Sequence, residues 1–361
     1  DTLMNTEVSF QQIASVIDRA IEGGSSFAIA ILPGKESPYI FGLRPEETEV
    51  SSESGKATFE VTPWLGRFAD RTIFSATGIL RADTLEASSE MPRRSTTYAD
   101  YIRSVKDAVE RCRERSGKIV ISRTICGSRN ESADSIGMIA MRYFKLNPAT
   151  FRYIFYTPGT GGWLAATPET LVDYDYGSRT LSTMAFAGTR KVAENNPWDL
   201  KNQIENQFVV DYIERSLLAL GLTPVVGDPE NVSFGEIEHL CRRVRCKAPA
   251  SMLAATIDAL NPTPAVCGTP RDQAIADIAD LENHTRGCYG GVVALSTPTG
   301  YHAFVNLRCM RFDARDYCIY GGGGITSGSI AECEYKETEA KTKVLQMLTQ
   351  SKFVGVDNIV C

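Results

Sequence analysis

The sequence predicts an α+β protein whose sheets are mostly antiparallel. Short β-type runs, rich in apolar and β-branched residues, follow one another across turn residues in hairpin patterns. Long stretches with helical periodicity stand apart from these runs. The length of 361 residues is compatible with two ordinary domains or with one large domain, and no repeat or low-complexity linker marks a boundary.

Each element has its own signal along the chain. The first hairpin pattern covers residues 26–32 and 39–43 around Pro33-Gly34-Lys35, and a polar loop follows at 47–55. A helix is expected after Thr97, ending at Gly117, where residues 118–123 begin a strand. Residues 163–175 and 179–186 form a second strand–turn–strand pattern. The remaining elements are a helix over 200–220, β-type runs at 288–295, 302–311 and 317–320, and a helix over about 330–351.

Composition argues against several classes of function. The net charge of −6 is unsuited to sequence-independent binding of nucleic acid, which needs a positive surface. No apolar run approaches the roughly 18 residues of a membrane span, and the first residues lack the features of a signal peptide. Ten cysteines are scattered without a CxxC pair and only three histidines occur, so a zinc site is not expected. We expect a cytoplasmic protein with reduced thiols and with neither a membrane nor a nucleic acid as partner.

The most informative segment combines a glycine run with an acid on a helix. Gly321-Gly322-Gly323-Gly324 can bring backbone N–H groups close to an anion. In the helix that follows, helical spacing predicts a buried face that is apolar except for one acid. Its members are Cys333, Glu337, Ala340, Val344 and Leu348. Because a carboxylate among core residues is costly unless it is paired or binds a metal, this segment predicts an anion site beside a buried acid.

The helix over residues 200–220 repeats this feature, since Glu205 lies on its apolar side with Val209 and Ile213. One such acid is as easily explained by a helix-edge position or a partner arginine, but two helices with the same feature favour a shared site. Carboxylate oxygens suit a hard cation, and Mg²⁺ typically takes one or two protein carboxylates while substrate and water complete its shell. We therefore expect Mg²⁺ as the cofactor.

Four further residues have both a functional and a structural interpretation. Glu169 follows a proline in a β-type run and is either a turn acid or an acid–base group. Lys118 is either a solvated strand end or a buried base. Along its β-type run, Arg308 lies on the strand face opposite the core residues, and its guanidinium suits a carboxylate ligand. His239 is compatible with a core histidine. Taken alone, the residues predict a Mg²⁺-assisted site for an anionic ligand, and no Gly-Lys-Ser/Thr follows the glycine run as in a P-loop.

Together these residues resemble the chorismate-utilising enzymes, which include isochorismate, anthranilate, aminodeoxychorismate and salicylate synthases. The resemblance covers about residues 97–350, whereas residues 1–96 match only loosely. It rests on motifs in the same order, at residues 117–123, 167–169, 187–190, 204–206, 238–240, 261–270, 286–291, 306–309 and 318–341. The resemblance implies a single domain over residues 1–361, with two mostly antiparallel sheets packed face to face and helices outside.

The resemblance also implies roles for individual residues. Mg²⁺, bound by Glu205 and Glu337 with help from Glu334, would hold the ring carboxylate of chorismate. Lys118 would take a proton from the water that attacks C2, and Glu169 would protonate the departing C4 hydroxyl. The implied substrate-binding residues are Gly188, Thr189, His239, Ala265, Tyr289, Arg308, Gly322, Gly324 and Lys341.

Within the family, residues 262–268 (Pro-Thr-Pro-Ala-Val-Cys-Gly) resemble the isochorismate synthase branch. Lys118 matches the lysine of the water-using branches, and Ala187 stands where aminodeoxychorismate synthases carry a nucleophilic lysine. Conversion of chorismate to isochorismate is therefore the expected reaction, without an obligatory glutamine amidotransferase subunit. The alternatives are a salicylate synthase and a catalytically silent relative that binds chorismate-like anions. Asn206 and Asn261 depart from the family pattern, which usually has histidine at both positions.

Overall fold

The computed structural model describes residues 2–43, 55–87, 90–129, 134–192, 196–234 and 237–350. The helices of these residues are α1 (Thr2–Glu22), α2 (Asp83–Ala87), α3 (Tyr98–Arg115), α4 (Ile136–Leu146), α5 (Leu200–Ala219), α6 (Leu253–Leu260), α7 (Arg271–Leu281) and α8 (Ala331–Gln350). The strands are β1 (Phe27–Ile31), β2 (Tyr39–Phe41), β3 (Thr58–Thr62), β4 (Thr72–Ser75), β5 (Gly78–Leu80), β6 (Lys118–Ser128), β7 (Phe151–Thr157), β8 (Gly161–Thr167), β9 (Thr170–Asp175), β10 (Thr180–Lys191), β11 (Val225–Phe234), β12 (Ile237–Lys247), β13 (Gly268–Thr269), β14 (Val292–Ser296), β15 (Gly300–Val305), β16 (Cys309–Phe312) and β17 (Asp316–Ile325). The polar loop predicted at 47–55 lies outside the described residues except for its last position.

The strands form two sheets in which neighbours run antiparallel. Sheet A has eight strands in the order β13-β6-β17-β16-β8-β7-β1-β2, and sheet B has nine in the order β11-β12-β10-β9-β15-β14-β3-β4-β5. The predicted hairpin near the start of the chain is present, with Ala28 of β1 opposite Phe41 of β2. The α+β class with antiparallel sheets is therefore confirmed.

The inner faces of the two sheets meet in an aromatic core. Phe151 of sheet A stacks on Phe304 of sheet B with ring centroids 4.3 Å apart, and Phe59 of sheet B lies 5.3 Å from Tyr153 of sheet A. Side chains alternate along each strand, so Tyr153 faces this core whereas its neighbour Ile154 packs outward against helices. The face-to-face packing is the arrangement that the resemblance implied.

Helices cover the outer faces of both sheets. Helices α1, α4 and α8 pack on sheet A, while α5 and α6 pack on sheet B. Helices α3 and α7 bury their apolar sides together with Ile119 and Ile121 at the start of β6. Over the described residues, every helix is too short or too polar to cross a membrane.

Two β-type runs that look continuous in the sequence pass from one sheet to the other. The run 163–175 divides at Pro168-Glu169 into β8 of sheet A and β9 of sheet B. The run 302–311 divides at residues 306–308 into β15 of sheet B and β16 of sheet A. The prediction of one strand in each run was wrong, because Pro168 has no N–H for a ladder and Arg308 adopts a left-handed φ of 50°.

The two crossings lie side by side. β8 pairs with β16 and β9 pairs with β15, so both chains change sheet at the same level. Backbone hydrogen bonds join them there, since the N–H of Val305 donates to the carbonyl of Glu169 at 3.0 Å and that of Ala166 donates to Arg308 at 3.4 Å. The residues of both crossings are thereby fixed relative to each other.

The buried face of α8 differs from the one predicted. Cys333 and Val344 are exposed, and the buried residues of this helix are Ala331, Glu334, Thr338, Thr342, Leu345, Leu348 and Thr349. Threonine can be buried here because its hydroxyl donates to a carbonyl of the same helix, as Thr342 does to Thr338 at 2.8 Å. The small threonine side chains also let α8 approach the glycines of β17. The acid on the buried face is therefore Glu334, whereas Glu337 is half-buried.

The end of α3 also differs in detail. The helix ends at Arg115, and Ser116 rather than Gly117 takes the left-handed conformation, with φ of 51°. Gly117 instead allows close contact with the neighbouring chain, because a methyl group there would lie 2.4 Å from the carbonyl oxygen of Thr269. This glycine brings β13 against the start of β6, where Lys118 lies.

Gly137 in α4 allows that helix to contact α1, and this predicts a stability effect. A methyl group at this position would lie 2.1 Å from the carbonyl oxygen of Ala14. Because the backbones of α1 and α4 would have to move apart, Gly137→Ala should lower the free energy of unfolding by about 1–3 kcal/mol. Urea denaturation measures the effect. The matched control is Gly328→Ala, whose methyl group would meet no atom within 4 Å. Equal midpoints for the two variants would contradict the prediction.

Candidate active site

A cleft lies where the two crossings meet β17, β10 and α5. Its walls consist of Val120, Pro168, Glu169, Phe186, Ala187, Gly188, Thr189, Glu205, His239, Ala265, Tyr289, Leu307, Arg308, Tyr320, Gly321, Gly322, Gly324 and Lys341. Of the residues that the resemblance assigned to a site, Lys118, Glu334 and Glu337 do not line the cleft directly, and all the others do.

The glycine run is part of strand β17 and not of a loop. Gly321 to Gly324 pair with Arg123 to Val120 of β6. The missing side chains leave room for other residues: a methyl group at Gly322 would lie 2.5 Å from the hydroxyl of Tyr289, and one at Gly324 would lie 2.2 Å from Oε1 of Glu205. Pairing of β17 with β16 covers only Tyr317 to Ile319, so the edge of β17 beside the glycines faces the cleft.

Lys118 and Glu205 form a buried ion pair beside the glycines. The ammonium nitrogen of Lys118 lies 2.9 Å from Oε1 of Glu205, and only 1% of the lysine side chain is exposed. The interpretation of Lys118 as a solvated strand end is therefore wrong. Burial alone would raise the pKa of Glu205, but the positive charges of Lys118 and Lys201 outweigh it and hold that pKa below its usual value.

The other two acids are also held by lysines. The ammonium nitrogen of Lys201 lies 2.9 Å from Oε1 of Glu334 and 4.0 Å from Oε2 of Glu205. That of Lys341 lies 2.6 Å from Oε1 of Glu337 and donates to the carbonyl of Gly322 at 3.0 Å. Burial raises the pKa of Glu334, and Lys201 only partly opposes this effect.

Lys201 was missed by sequence reasoning. Its position four residues before Glu205 on α5 was a usable signal, because residues at this spacing are neighbours on a helix. The structure shows that Lys201 links the acid of α5 to the acid of α8. In the described part of the chain, no three His, Cys, Asp or Glu side chains are already arranged around one position that could hold a metal ion.

Glu169 lies at the first crossing and is 2% exposed. Burial raises its pKa to about 8, although the charge of Lys118 and a hydrogen bond from Thr263 at 3.4 Å act in the opposite direction. The carboxyl group therefore keeps its proton at neutral pH. It is a buried acid rather than an edge-strand or turn acid.

Arg308 lies at the second crossing and is half-buried in the cleft wall. Its Nη2 is 3.3 Å from Nε2 of His239, whose Nδ1 is 3.1 Å from the hydroxyl of Thr189. Burial, together with the charge of Arg308, holds the pKa of His239 well below its usual value, so the imidazole is neutral. In the part of the chain that the structure describes, no carboxylate forms an ion pair with Arg308. A half-buried guanidinium in a cleft wall, without a carboxylate in ion-pair contact among the described residues, is suited to an anionic ligand.

Aromatic side chains form another wall of the cleft. Tyr289 stacks on Tyr320 with centroids 5.4 Å apart and an interplanar angle of 12°, and Trp163 stacks on the far side of Tyr320 at 5.4 Å. Tyr320 and Phe186 were not among the predicted site residues, since aromatic residues in β-type runs indicate only a core. The wall offers a flat apolar surface next to the charged groups.

Asn206 stands where the family usually has histidine, and it has a structural role. Its side-chain amide, 1% exposed, donates to the carbonyls of Ala185, Ala187 and Leu240 at 3.0–3.2 Å. These bonds attach α5 to β10 and β12. Asn206 in place of histidine therefore helps to attach α5, the helix that carries Glu205, and it is not a group of the cleft wall.

Comparison with known proteins identifies the family of this chain. The profile of the chorismate binding enzymes matches residues 70–350. The isochorismate synthase MenF of Pasteurella multocida is 25% identical over 283 residues, covering 74% of this chain and 65% of that protein. The isochorismate synthase MenF of Escherichia coli is 32% identical over 226 residues, covering 59% of this chain and 51% of that protein. The chain therefore spans about half to two thirds of the length of these relatives.

Solved structures agree on the fold. The crystal structure of a putative 2,3-dihydroxybenzoate-specific isochorismate synthase, DhbC from Bacillus anthracis, superposes with a TM-score of 0.72 at 19% identity. The superposition covers 90% of this chain and 96% of that one. Because the family profile matches well over half of its residues, the chain belongs to the chorismate-binding enzyme family.

Proposed function

We propose that this protein converts chorismate to isochorismate with the help of Mg²⁺. The observation that carries the proposal is a buried acid, Glu169, in the cleft wall together with a buried lysine, Lys118, beside Gly324 of the same wall. Glu169 holds its proton at neutral pH, and Lys118 is close enough for its charge to act on the pKa of Glu169. An acid and a base at one site are what removal of one hydroxyl and addition of another require.

The substrate class is supported by the charges of the cleft. Chorismate carries two carboxylates, and Arg308 is a half-buried cation in the cleft wall without a carboxylate in ion-pair contact among the described residues. Lys341 also lines the cleft, beside the open edge of β17. A planar guanidinium suits a carboxylate because it donates two parallel hydrogen bonds. The ring of Tyr289 in the cleft wall offers an apolar surface to a six-membered ring.

The nucleophile proposed is water. The cleft contains Ala187 at the position where a nucleophilic lysine stands in aminodeoxychorismate synthases. Lys118 in its neutral form takes the proton of the attacking water at C2, and Glu169 gives its proton to the C4 hydroxyl, which leaves as water. One water is consumed and one is released, so the net reaction is an isomerisation. The relatives named isochorismate synthase support this choice within the family.

The acids of the site fit Mg²⁺. Lys201 places a positive charge within 4.0 Å of both Glu205 and Glu334, so these carboxylates already flank a cation. Oε2 of Glu334 is buried and accepts no hydrogen bond from the described residues. An all-carboxylate donor set is also the chemistry that this ion prefers. Glu205 and Glu337, with Glu334, would hold the metal, whose charge when bound would orient a substrate carboxylate.

The proposed function is tested by product analysis. The purified protein is incubated with chorismate and Mg²⁺, with and without ammonia, and the products are separated by chromatography. Isochorismate is expected in both cases, and Lys118→Ala should reduce its formation by about 10²–10⁴-fold. Salicylate and pyruvate would show that the reaction continues to elimination. An aminated product would remove water as the nucleophile, and no turnover by a folded protein would favour a silent binding protein.

Glu169→Gln should abolish turnover and alter the pH dependence of stability. The native acid works only while protonated, so native turnover should decline as the pH rises above about 8. The unfolded chain loses this proton near pH 4.5, so the stability that Glu169 contributes is full below pH 4.5 and lost as the pH rises to about 8. The loss amounts to a few kcal/mol. Glutamine cannot ionise, so urea midpoints of Glu169→Gln should fall less between pH 5 and pH 8.

Glu332→Gln is the matched control for this experiment, because Glu332 is an exposed acid of α8. Its turnover, and its urea midpoints at pH 5 and pH 8, should equal those of the native protein. A Glu169→Gln variant that still interconverts the two isomers within about tenfold of the native rate would remove Glu169 from the mechanism.

Glu205→Gln should weaken Mg²⁺ binding and lower stability together. The change removes a carboxylate proposed for the metal and leaves the ammonium of Lys118 buried without its partner, which typically costs about 3–5 kcal/mol. Calorimetric titration with Mg²⁺ measures the first effect, and urea denaturation without metal measures the second. Glu332→Gln is again the control. Unchanged Mg²⁺ affinity in a folded variant would show that Glu205 serves only as the counter-ion of Lys118.

A further inference from the structure

Two cysteines lie directly opposite each other on the strand pair that carries the site. Cys126 of β6 is in register with Cys318 of β17, and their sulfur atoms are 3.0 Å apart. Directly opposed residues of an antiparallel pair have Cα atoms about 4.5 or 5.5 Å apart. Both separations fall within the roughly 4.4–6.8 Å that a disulfide spans. The backbone thus already has the geometry for a bond between these thiols.

The two cysteines differ in their surroundings. Cys318 is completely buried in the core between the sheets, whereas Cys126 is half-buried near the end of β6. The thiol of Cys126 contacts the carbonyl of Pro92 at 3.2 Å, and Arg93 follows in the same segment. The hydrogen bond with Cys318 and the charge of Arg93 lower the pKa of Cys126. A thiol with a lowered pKa next to a second thiol is the arrangement found in redox-sensitive cysteine pairs.

We propose that Cys126 and Cys318 form a redox modification site, in which a hydroperoxide oxidises Cys126 and Cys318 resolves the product to a reversible disulfide. The thiolate of Cys126 attacks a peroxide oxygen and the O–O bond breaks. With hydrogen peroxide a sulfenic acid forms, and the departing hydroxide takes up a proton, equivalent to the one that the thiol released, and leaves as water. The thiol of Cys318 then attacks the sulfenic sulfur, the S–O bond breaks, and a second water leaves with the thiol proton. The two thiols supply the two electrons that reduce the peroxide.

The site is separate from the chemistry of the cleft, although it shares its strands. Neither cysteine lines the cleft, and Gly321 lies three residues beyond Cys318. A disulfide at this point would fix the register of β6 against β17, and this register places Lys118 beside Gly324. The proposal does not depend on the reaction catalysed, since its readout is the state of two thiols.

The experiment uses the full chain with Cys333→Ser. Cys333 is exposed, and trypsin leaves it on the same peptide as Cys318, residues 316–336, whereas Cys126 is alone on peptide 124–129. The protein is treated with a small excess of hydrogen peroxide and blocked with an alkylating reagent. It is then digested without reductant and analysed by mass spectrometry. Peptide 124–129 should be joined to peptide 316–336, and dithiothreitol should separate them.

Thiol titration of the denatured variant provides an independent count. Nine thiols are expected before oxidation, ten cysteines less the one replaced, and seven after it. Recovery of peptide 124–129 with a free thiol, while the peptide carrying Cys361 is oxidised, would overturn the proposal. So would oxidation of Cys126 to a sulfinic acid without a cross-link.

A second variant separates the two steps. In Cys318→Ser, also with Cys333→Ser, the resolving thiol is absent, so Cys126 should accumulate as a sulfenic acid that dimedone labels. No labelling in a folded variant would show that Cys126 is not the thiol that reacts with peroxide. If Cys318→Ser fails to fold, the peptide map of the Cys333→Ser protein remains decisive.

Discussion

The rest of this structure depends on one constraint, the side-by-side passage of two chain segments from one sheet to the other. Because β8 pairs with β16 and β9 with β15, neither segment can change sheet without the other. The crossings interrupt the ladders at the same level, and they carry Glu169 and Arg308. A buried acid and a half-buried cation are thus placed at the same cleft by backbone connectivity rather than by a flexible loop.

The sequence was sufficient for the class of fold, because that class rests on local signals, whereas most of the expected site residues came from the family resemblance. Hairpin turns, helical periodicity and an acid at Glu205 on an apolar helix face can each be recognised from neighbours in the chain. The division of runs 163–175 and 302–311 could not be recognised, because period-two alternation continues across both crossings and only tertiary packing decides which sheet each half joins. The buried face of α8 was misjudged for a related reason. Threonines count as polar in a periodicity argument, yet Thr338 and Thr342 satisfy their hydroxyls within the helix and pack against glycines.

The acids and lysines of the site show the same dependence on long-range packing. Lys118, Lys201 and Lys341 each lie against a different carboxylate, and two of these three pairings join residues far apart in the sequence. Only the pairing of Lys341 with Glu337 follows from helical spacing. Membership of the chorismate-binding enzyme family could be recognised from motifs, whereas the pairing of charges that gives Glu205 its lowered pKa required the three-dimensional structure.

The three lysine–carboxylate pairs have a consequence for how the protein acquires its native state. A cluster of three like charges would repel itself and would require a bound cation before the chain could close around it. Here each carboxylate has an ammonium partner, which reduces this repulsion without an ion from the solution. A cation that binds at these carboxylates therefore competes with ammonium groups already present. Its net affinity is the difference between the two attractions.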